Sequence, residues 1–163
     1  EGRERGLLEP EQVADARKRK APEPRKPYRE FTAARGTPVL VGRSAADNDV
    51  LTLKVARGND LWLHTRDAPG SHVVLRVQRG SEPDEEEVLD AAHLAVHFSP
   101  LREAGKAAVH VSRRKLVHKP RGAKPGLVTL SGGRVIQLRV QPDRLRRLLH
   151  TARRPGPDEA GGD

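Results

Sequence analysis

The sequence predicts an α/β (α+β) fold, in which a mixed and largely antiparallel sheet carries one main helix and a short C-terminal helix. Three observations lead to this prediction. Short β-rich segments alternate with turns rich in Gly, Asn, Asp and Pro along most of the chain. One long segment, residues 84–98, has apolar residues at helical spacing. A shorter segment, residues 142–151, begins with Pro and places its Leu and Arg residues on opposite sides of a helix.

Four strands are expected before the main helix. All four are rich in Val and Leu, and they cover residues 38–41, 50–55, 61–64 and 72–77. The segments GRSAADND, ARGND and APGS lie between them and are typical of turns. Because side chains alternate along a strand, Asp60, Trp62 and His64 are expected on one face of the third strand and its two Leu on the other.

The main helix has the residues that favour a helix start. Pro83 suits a first turn, and the four acidic residues 84–87 complement the positive end of the helix dipole. After this helix, strands are expected over residues 108–112, 116–118, 127–130 and 135–140, the last two as a hairpin. Between them the segment KPRGAKPG contains two Pro and two Gly, so it is expected to be an irregular loop.

Composition divides the chain into three parts. Residues 1–30 mix charges with Pro and predict a linker, which has a possible short helix over residues 9–20. Residues 31–150 form the expected globular domain, and residues 151–163 a disordered tail. The sequence begins with Glu1 rather than Met, so both a fragment of a longer protein and a stand-alone module are open interpretations.

Charge and composition limit the functional classes. The 163 residues include no Cys, so disulfides, thiolate metal sites and Cys nucleophiles are excluded. No apolar run approaches the roughly 20 residues that span a bilayer, and no signal peptide is evident, so a cytoplasmic protein without membrane contact is expected. The net charge is +9, and residues 102–124 carry eight basic residues and one acidic residue. Such a concentrated basic segment is typical of a nucleic-acid-binding protein, but charge alone favours it no more than a solvated Arg-rich surface.

The KPRGAKPG segment is the strongest candidate for phosphate contact. It places Lys119, Arg121 and Lys124 on a loop whose Gly residues permit close approach of a ligand to the backbone. The loop does not match a P-loop, because no GK[ST] follows at the required spacing. With one Trp, one Tyr and two Phe, the chain has too few aromatic residues for stacking on several bases, so contacts mainly to phosphates are expected.

The His residues suggest two other kinds of site, a metal site and a catalytic site. His93 and His97 have the i, i+4 spacing of metal ligands, but no third ligand is evident, and two partly exposed His on a helix surface are the preferred interpretation. His64, Asp67 and His72 could supply acid–base catalysis in a small hydrolase. The hydrolase hypothesis also requires a nucleophile or a metal, and an oxyanion site, and the sequence indicates none of these. No catalytic residue, no metal and no cofactor are therefore predicted.

Three segments of the chain together resemble a known family. They are VGRSAADNDVLTLKVARGNDLWLHTRDAPGSHVVLR, AAHLAVHFS and VHKPRGAKPGLVTL, in this order. These blocks are similar to the NFACT-R domain, the RNA-binding module of the NFACT proteins, some of which carry the older label fibronectin-binding protein. The resemblance covers residues 31–149 and implies an RNA-binding domain of a ribosome-associated quality control factor. Its expected partners are tRNA or large-subunit (23S-type) rRNA and the large ribosomal subunit.

The predicted site has two parts. The cations expected to contact nucleic acid are Arg113, Arg114, Lys115, Lys119, Arg121 and Lys124. The residues expected to shape the adjoining surface fall on positions typical of the family: Asn48, Asp49, Asp60, Trp62, His64, Pro69, Gly70, Ser71 and His72. A protein-interaction module that docks on the ribosome remains an alternative, as does the hydrolase. The oligomeric state is left open.

Overall fold

A six-stranded sheet forms the middle layer of the computed structural model, which describes residues 25–153. Its strands are β1 (Tyr28–Thr32), β2 (Pro38–Gly42), β3 (Leu61–Thr65), β4 (Val73–Leu75), β5 (Lys106–Arg113) and β8 (Arg134–Arg139). A separate two-stranded ribbon consists of β6 (Val117–His118) and β7 (Thr129–Leu130). The order across the large sheet is β1-β2-β4-β3-β5-β8, and every pair is antiparallel.

Helices lie on both faces of this sheet. They are α1 (Ala45–Val50), which continues into a π-helical turn (Leu51–Val55), then α2 (Glu85–His97) and α3 (Pro142–His150). Short 3-10 turns occupy Ala34–Gly36 and Arg114–Leu116. None of the helices within residues 25–153 combines the length and the apolar character that crossing a bilayer requires.

The larger core lies between the sheet and the layer of α2 and α3. Leu63 and Val109 on the sheet, Leu94 on α2 and Leu148 on α3 are all fully buried there. The two helices are joined by Asp90 of α2, whose carboxylate accepts hydrogen bonds from the guanidinium groups of Arg144 and Arg147 at 2.8 and 2.9 Å. Burial of these apolar side chains away from water is the main source of stability for the fold.

A smaller core on the opposite face positions the candidate site. Trp62 of β3 and Val74 of β4 are Cα partners, so their side chains point to the same face. Leu51 of the π-helical turn and Val117 of the ribbon cover them, and Trp62 is only 2% exposed. The layer made of α1, the π-helical turn and the ribbon is called the cover layer below.

The predicted fold class is confirmed. The main helix, expected over residues 84–98, spans Glu85–His97, and the C-terminal helix, expected over residues 142–151, spans Pro142–His150. A strand at β1 was missed, and it extends the folded part to Tyr28, three residues before the expected boundary at residue 31. Most of the linker predicted over residues 1–30, with its possible helix, and most of the tail predicted over residues 151–163 lie outside the described residues.

The prediction for residues 43–55 is wrong. The expected turn GRSAADND contains α1, and the expected strand over residues 50–55 is the π-helical turn. Ser44 starts the helix, because its Oγ accepts a hydrogen bond from the Asp47 N–H at 3.1 Å. Leu51 and Thr52 are then buried against the sheet. Burial against the sheet thus outweighs the β-propensity of Val, Leu and Thr in this segment.

Candidate nucleic-acid interface

The KPRGAKPG segment forms the connection between β6 and β7, and residues 119–126 are called the basic loop. Two of its residues have positive φ angles, Gly122 at 77° and Gly126 at 85°, a conformation that residues with a Cβ rarely adopt. Gly126 also lies against the first turn of α1, since a Cβ there would be 3.5 Å from the Cβ of Ala45. The loop is therefore packed against the cover layer rather than free in solvent.

Lys119 holds the loop together from within. Its ammonium group lies 3.1 Å from the carboxylate of Asp49 and donates hydrogen bonds to the carbonyl oxygens of Lys124 at 2.5 Å and Leu127 at 3.0 Å. The same carboxylate accepts the Gly126 N–H at 3.1 Å. Lys119 and Asp49 are 21% and 22% exposed, so this ion pair is largely shielded from water. The three donors of the ammonium group are thus used by the protein itself.

A chain of hydrogen bonds connects the loop to the sheet through His72. The indole N–H of Trp62 donates to Thr52 Oγ1 at 3.2 Å, Thr52 Oγ1 lies 2.7 Å from His72 Nδ1, and His72 Nε2 lies 3.0 Å from the carbonyl oxygen of Gly126. Because a carbonyl oxygen only accepts, Nε2 must carry a proton. Nδ1 of the neutral ring then accepts from the Thr52 hydroxyl, so every group in the chain is satisfied by a neutral His72.

The environment of His72 stabilises this neutral form. Burial is the largest cause and lowers the pKa of His72 from 6.5 to about 4, and the neighbouring His64 contributes in the same direction. The two rings meet edge to face with centroids 5.5 Å apart, and His64 stacks on Trp62 at 5.7 Å. Burial also lowers the pKa of His64. Both rings are therefore parts of a neutral aromatic cluster near the basic loop.

Asn48 joins α1 to the β3–β4 connection. Its side-chain Oδ1 accepts the backbone N–H of His72 at 3.0 Å, and its Nδ2 donates to the carbonyl oxygen of Gly70 at 3.2 Å. A Cβ on Gly42 would overlap Oδ1 of Asn48, so only Gly fits at the end of β2 here. These contacts fix the position of α1, and with it that of Asp49.

The PGS turn is held by backbone contacts. Gly70 faces the end of α2, where a Cβ would come within 2.9 Å of the Cβ of Ser99. Ser71 donates its hydroxyl to the carbonyl oxygen of Gly42 at 2.7 Å and its N–H to that of Phe98 at 3.1 Å. Pro69 is exposed. The turn therefore anchors His72 and the start of β4, which follows it.

Asp60 is a buried structural carboxylate. It is 1% exposed, pairs with the guanidinium group of Arg76 at 2.9 Å, and accepts the backbone N–H groups of Arg57 at 2.9 Å and Val77 at 3.0 Å. A carboxylate with this many donors stabilises the two segments that it joins, the one that contains Arg57 and the one that contains Arg76 and Val77. It offers no surface to a ligand.

The structure divides the six predicted cations into two groups. Arg114 donates from Nε to the carbonyl oxygen of Thr52 and from its NH1 to that of Val117 at 3.1 Å. Arg113 donates to the carbonyl oxygen of Asn59 at 2.8 Å, and Lys119 is committed as described above. The exposed cations Lys115, Arg121 and Lys124 make no side-chain hydrogen bond or ion pair with another of residues 25–153. These three are the ones available to a ligand.

Three further exposed cations, which the sequence did not single out, lie in or beside the cover layer. Arg57 is exposed and precedes Gly58, whose carbonyl oxygen accepts the backbone N–H of Lys115 at 3.2 Å. Lys54 is exposed on the π-helical turn, and Arg43 is exposed just before α1. Their scattered positions in the sequence gave no local signal.

The catalytic alternative finds no supporting geometry in His72. Both of its ring nitrogens are engaged, and the ring is 1% exposed. Asp67 is exposed and forms an ion pair with Arg66 at 3.0 Å. General acid–base catalysis needs a titrating nitrogen within reach of a substrate, which His72 does not offer.

The His pair of α2 also differs from expectation. His93 was interpreted as a partly exposed surface residue, but it is 1% exposed. Its Nδ1 donates to the carbonyl oxygen of Leu89 at 2.8 Å and its Nε2 accepts the N–H of Gln141 at 2.9 Å, which leaves no nitrogen for a metal. Across the part of the chain that the structure describes, no group of three or more His, Asp or Glu has the arrangement of a metal site.

Comparisons with known proteins agree on one family. The sequence model described as "NFACT protein RNA binding domain" matches residues 27–130, which include β1, the cover layer and the basic loop. The Rqc2 homolog RqcH of Bacillus subtilis (strain 168) is 42% identical over 123 residues, 75% of this chain and 20% of that protein. The Rqc2 homolog RqcH of Streptococcus suis (strain 05ZYH33) is 38% identical over 121 residues, 74% of this chain and 22% of that protein.

A solved structure shows the same fold. It is described as the C-terminal of the fibronectin/fibrinogen-binding protein from Streptococcus suis, and it aligns with a TM-score of 0.69 and 34% sequence identity over 85% of this chain and 57% of that chain. The chain spans about a fifth of the length of the curated relatives that it matches.

Proposed function

Because the chain belongs to the family of NFACT protein RNA-binding domains, we propose that it binds RNA through the phosphate backbone. The ligand is tRNA or large-subunit rRNA, and the cellular setting is ribosome-associated quality control in the cytoplasm, on the large ribosomal subunit. The domain acts by binding rather than by catalysis, which is supported by the engagement of both nitrogens of His72 within the fold.

One observation carries this proposal: a basic loop of fixed shape presents unpaired cations. Lys119 and His72 fasten the loop to Asp49 and to the sheet, and Arg121 and Lys124 extend from it without partners among the described residues. A preorganised loop loses little conformational entropy when it binds, so its cations contact phosphates at lower cost. Cations on such loops contact phosphates without reading the base sequence.

The residues predicted to shape the surface act through this loop. Asp49 and His72 contact it directly, and Asn48 positions both. Trp62 and Asp60 are buried, so they support the cover layer and do not meet the ligand. We therefore assign a positioning role to the residues that were predicted to shape the surface. We assign phosphate contact to Lys115, Arg121 and Lys124.

The test measures binding of a fluorescein-labelled tRNA transcript by fluorescence anisotropy at several KCl concentrations. Each phosphate contact makes the plot of log K against log salt steeper by about 0.7 to 0.9, which is worth roughly five- to eightfold in affinity near 0.1 M salt. The variant Arg121→Gln/Lys124→Gln is expected to bind roughly 25- to 60-fold more weakly, with a slope shallower by about 1.5 to 2.

The matched control is Arg35→Gln/Arg146→Gln, which removes the same charge from the α2 and α3 side of the sheet, where these side chains are 73% and 64% exposed. The control is expected to bind almost as tightly as the parent. Equal losses in both variants would show that only the total charge matters and would contradict a role for the basic loop. An affinity for the transcript that hardly depends on salt would contradict binding through phosphates. A competition series with unlabelled rRNA hairpins separates tRNA from rRNA preference.

A further inference from the structure

The cover layer leaves part of one sheet face uncovered, along β5 and β8. Cα partners in antiparallel strands share a face, so His64 of β3, His110 of β5 and Val135 of β8 form one row on the Trp62 side of the sheet. Two further rows follow along the same face of β5 and β8, and they consist of Ala108 with Gln137 and of Lys106 with Arg139. These three rows are called the open sheet face.

The two ends of this surface are accessible and its Lys106–Arg139 row is basic, whereas Ala108 at its centre is buried. Lys106, Gln137 and Arg139 are exposed, and Val135 is one of three large apolar residues that are exposed in the described chain. Neither Lys106 nor Arg139 makes a side-chain hydrogen bond or ion pair with another of residues 25–153. Together with Arg66 from the end of β3, they line a shallow concavity of about 460 Å³.

Among residues 25–153, Asp67 provides the one carboxylate that lines the concavity, and it is already paired. Asp67 contacts the guanidinium group of its neighbour Arg66 at 3.0 Å, so it neutralises that cation and leaves Lys106 and Arg139 uncompensated. Two uncompensated cations on adjacent strands create a positive potential that attracts an anionic ligand.

The open sheet face and the basic loop lie on the same side of the sheet, because the ribbon that carries the loop covers Trp62 and the open rows belong to the Trp62 face. The ring of His64 lies 5.5 Å from that of His72, whose Nε2 contacts Gly126 at the end of the loop. His110, the Cα partner of His64, begins the open rows on the next strand. A ligand that lies across the loop would therefore reach the sheet without leaving this side of the molecule.

We propose that the open sheet face is a second RNA-contact surface, on which Lys106 and Arg139 bind phosphates and Gln137 hydrogen-bonds to the sugar–phosphate backbone of the RNA that the basic loop engages. This inference rests on the proposed function and extends it from a single loop to a two-part footprint. Neutral amide groups beside cations are suited to the phosphate oxygens and 2′-hydroxyls of RNA. The face has no Trp, Tyr or Phe, so backbone contact is favoured over stacking on bases.

The experiment uses the full chain and the same fluorescein-labelled tRNA transcript. The variant Lys106→Gln/Arg139→Gln removes the two free cations, and the control is again Arg35→Gln/Arg146→Gln on the other side of the sheet. Loss of two phosphate contacts is expected to weaken binding roughly 25- to 60-fold near 0.1 M KCl and to make the salt slope shallower by about 1.5 to 2. Thermal melting of each variant verifies that it is folded, and exposed substitutions of this kind rarely change stability.

Combining the sheet and loop substitutions distinguishes the possible outcomes. If both surfaces contact one RNA, each double variant weakens binding and the quadruple variant weakens it further. If the sheet variant binds like the control while the loop variant is weakened, the second surface is refuted and the proposed function stands. If the parent chain shows no salt-dependent binding to RNA, the proposed function fails and the second surface fails with it.

Discussion

Lys119 provides the sharpest test of how the basic loop works. The variant Lys119→Met keeps the length of the side chain but removes its charge and its three donors. In the structure these donors bind the Asp49 carboxylate and the carbonyl oxygens of Lys124 and Leu127. The carboxylate would retain only the Gly126 N–H. If Lys119 stabilises the loop, this change must lower the free energy of unfolding.

The magnitude follows from the burial of the pair. A hydrogen bond to a charged group contributes about 1.5–3 kcal/mol, and a bond between neutral partners about 1 kcal/mol. Lys119 and Asp49 are only about a fifth exposed, so solvent screening is weak. We expect Lys119→Met to lower the free energy of unfolding by about 2–3 kcal/mol and the Tm by roughly 6–12 °C for a domain of this size.

Urea-induced unfolding followed by the fluorescence of Trp62, the single Trp of the chain, measures this change. Trp62 lies beneath the cover layer, so it reports on the part that Lys119 supports. Lys124→Met is the matched control, because the exposed Lys124 side chain has no partner within residues 25–153. It should stay within about 0.5 kcal/mol of the parent. A Lys119→Met variant that is equally stable, with a salt slope for tRNA shallower by about 1, would show that Lys119 is a phosphate ligand and refute the reasoning.

Three further predictions concern the residues behind the loop. The pKa of His72 is about 4 in the folded state and 6.5 in the unfolded state, so the stabilisation of the fold by neutral His72 is complete above pH 6.5 and is lost as the pH falls from 6.5 to 4. This loss lowers the free energy of unfolding by about 3 kcal/mol. In urea unfolding, His72→Gln should therefore lose less stability than the parent between pH 7 and pH 4, and equal losses in the two proteins would contradict this. Asp60→Ala removes the buried carboxylate that pairs with Arg76 and accepts the N–H groups of Arg57 and Val77, and it should cost about 3–5 kcal/mol in urea unfolding; a cost below about 1 kcal/mol would mean that the pair is solvated. Gly42→Ala forces its Cβ into the Asn48 side chain and should cost about 1–3 kcal/mol in thermal unfolding, whereas an unchanged Tm would show that the Asn48 side chain moves aside at little cost.

The outlines of the fold could be read from local patterns because those patterns agree with the tertiary structure. The apolar spacing and acidic start of α2 are both local, and its observed span of Glu85–His97 differs from the prediction by one residue at each end. Two predictions about the fold were wrong. Residues 127–130 and 135–140 were expected to form a hairpin, but β7 pairs with β6 and β8 pairs with β5. The second error is the segment from Ala45 to Val55. Its Val, Leu and Thr favour a strand, but Leu51 and Thr52 are buried against the sheet by a helical conformation.

The sequence by itself determined the fold class, the irregular basic loop and the family, because these depend on residue type, spacing and order along the chain. Only the tertiary structure decided which cations are free. Lys119 and Lys124 are the same residue type, five positions apart on one loop, but Lys119 meets Asp49, 70 positions earlier in the chain, and Lys124 does not. Lys106 and Arg139 likewise come together only because β5 and β8 pair. A side chain's partners across such separations depend on how the chain packs, and local sequence carries no information about that packing.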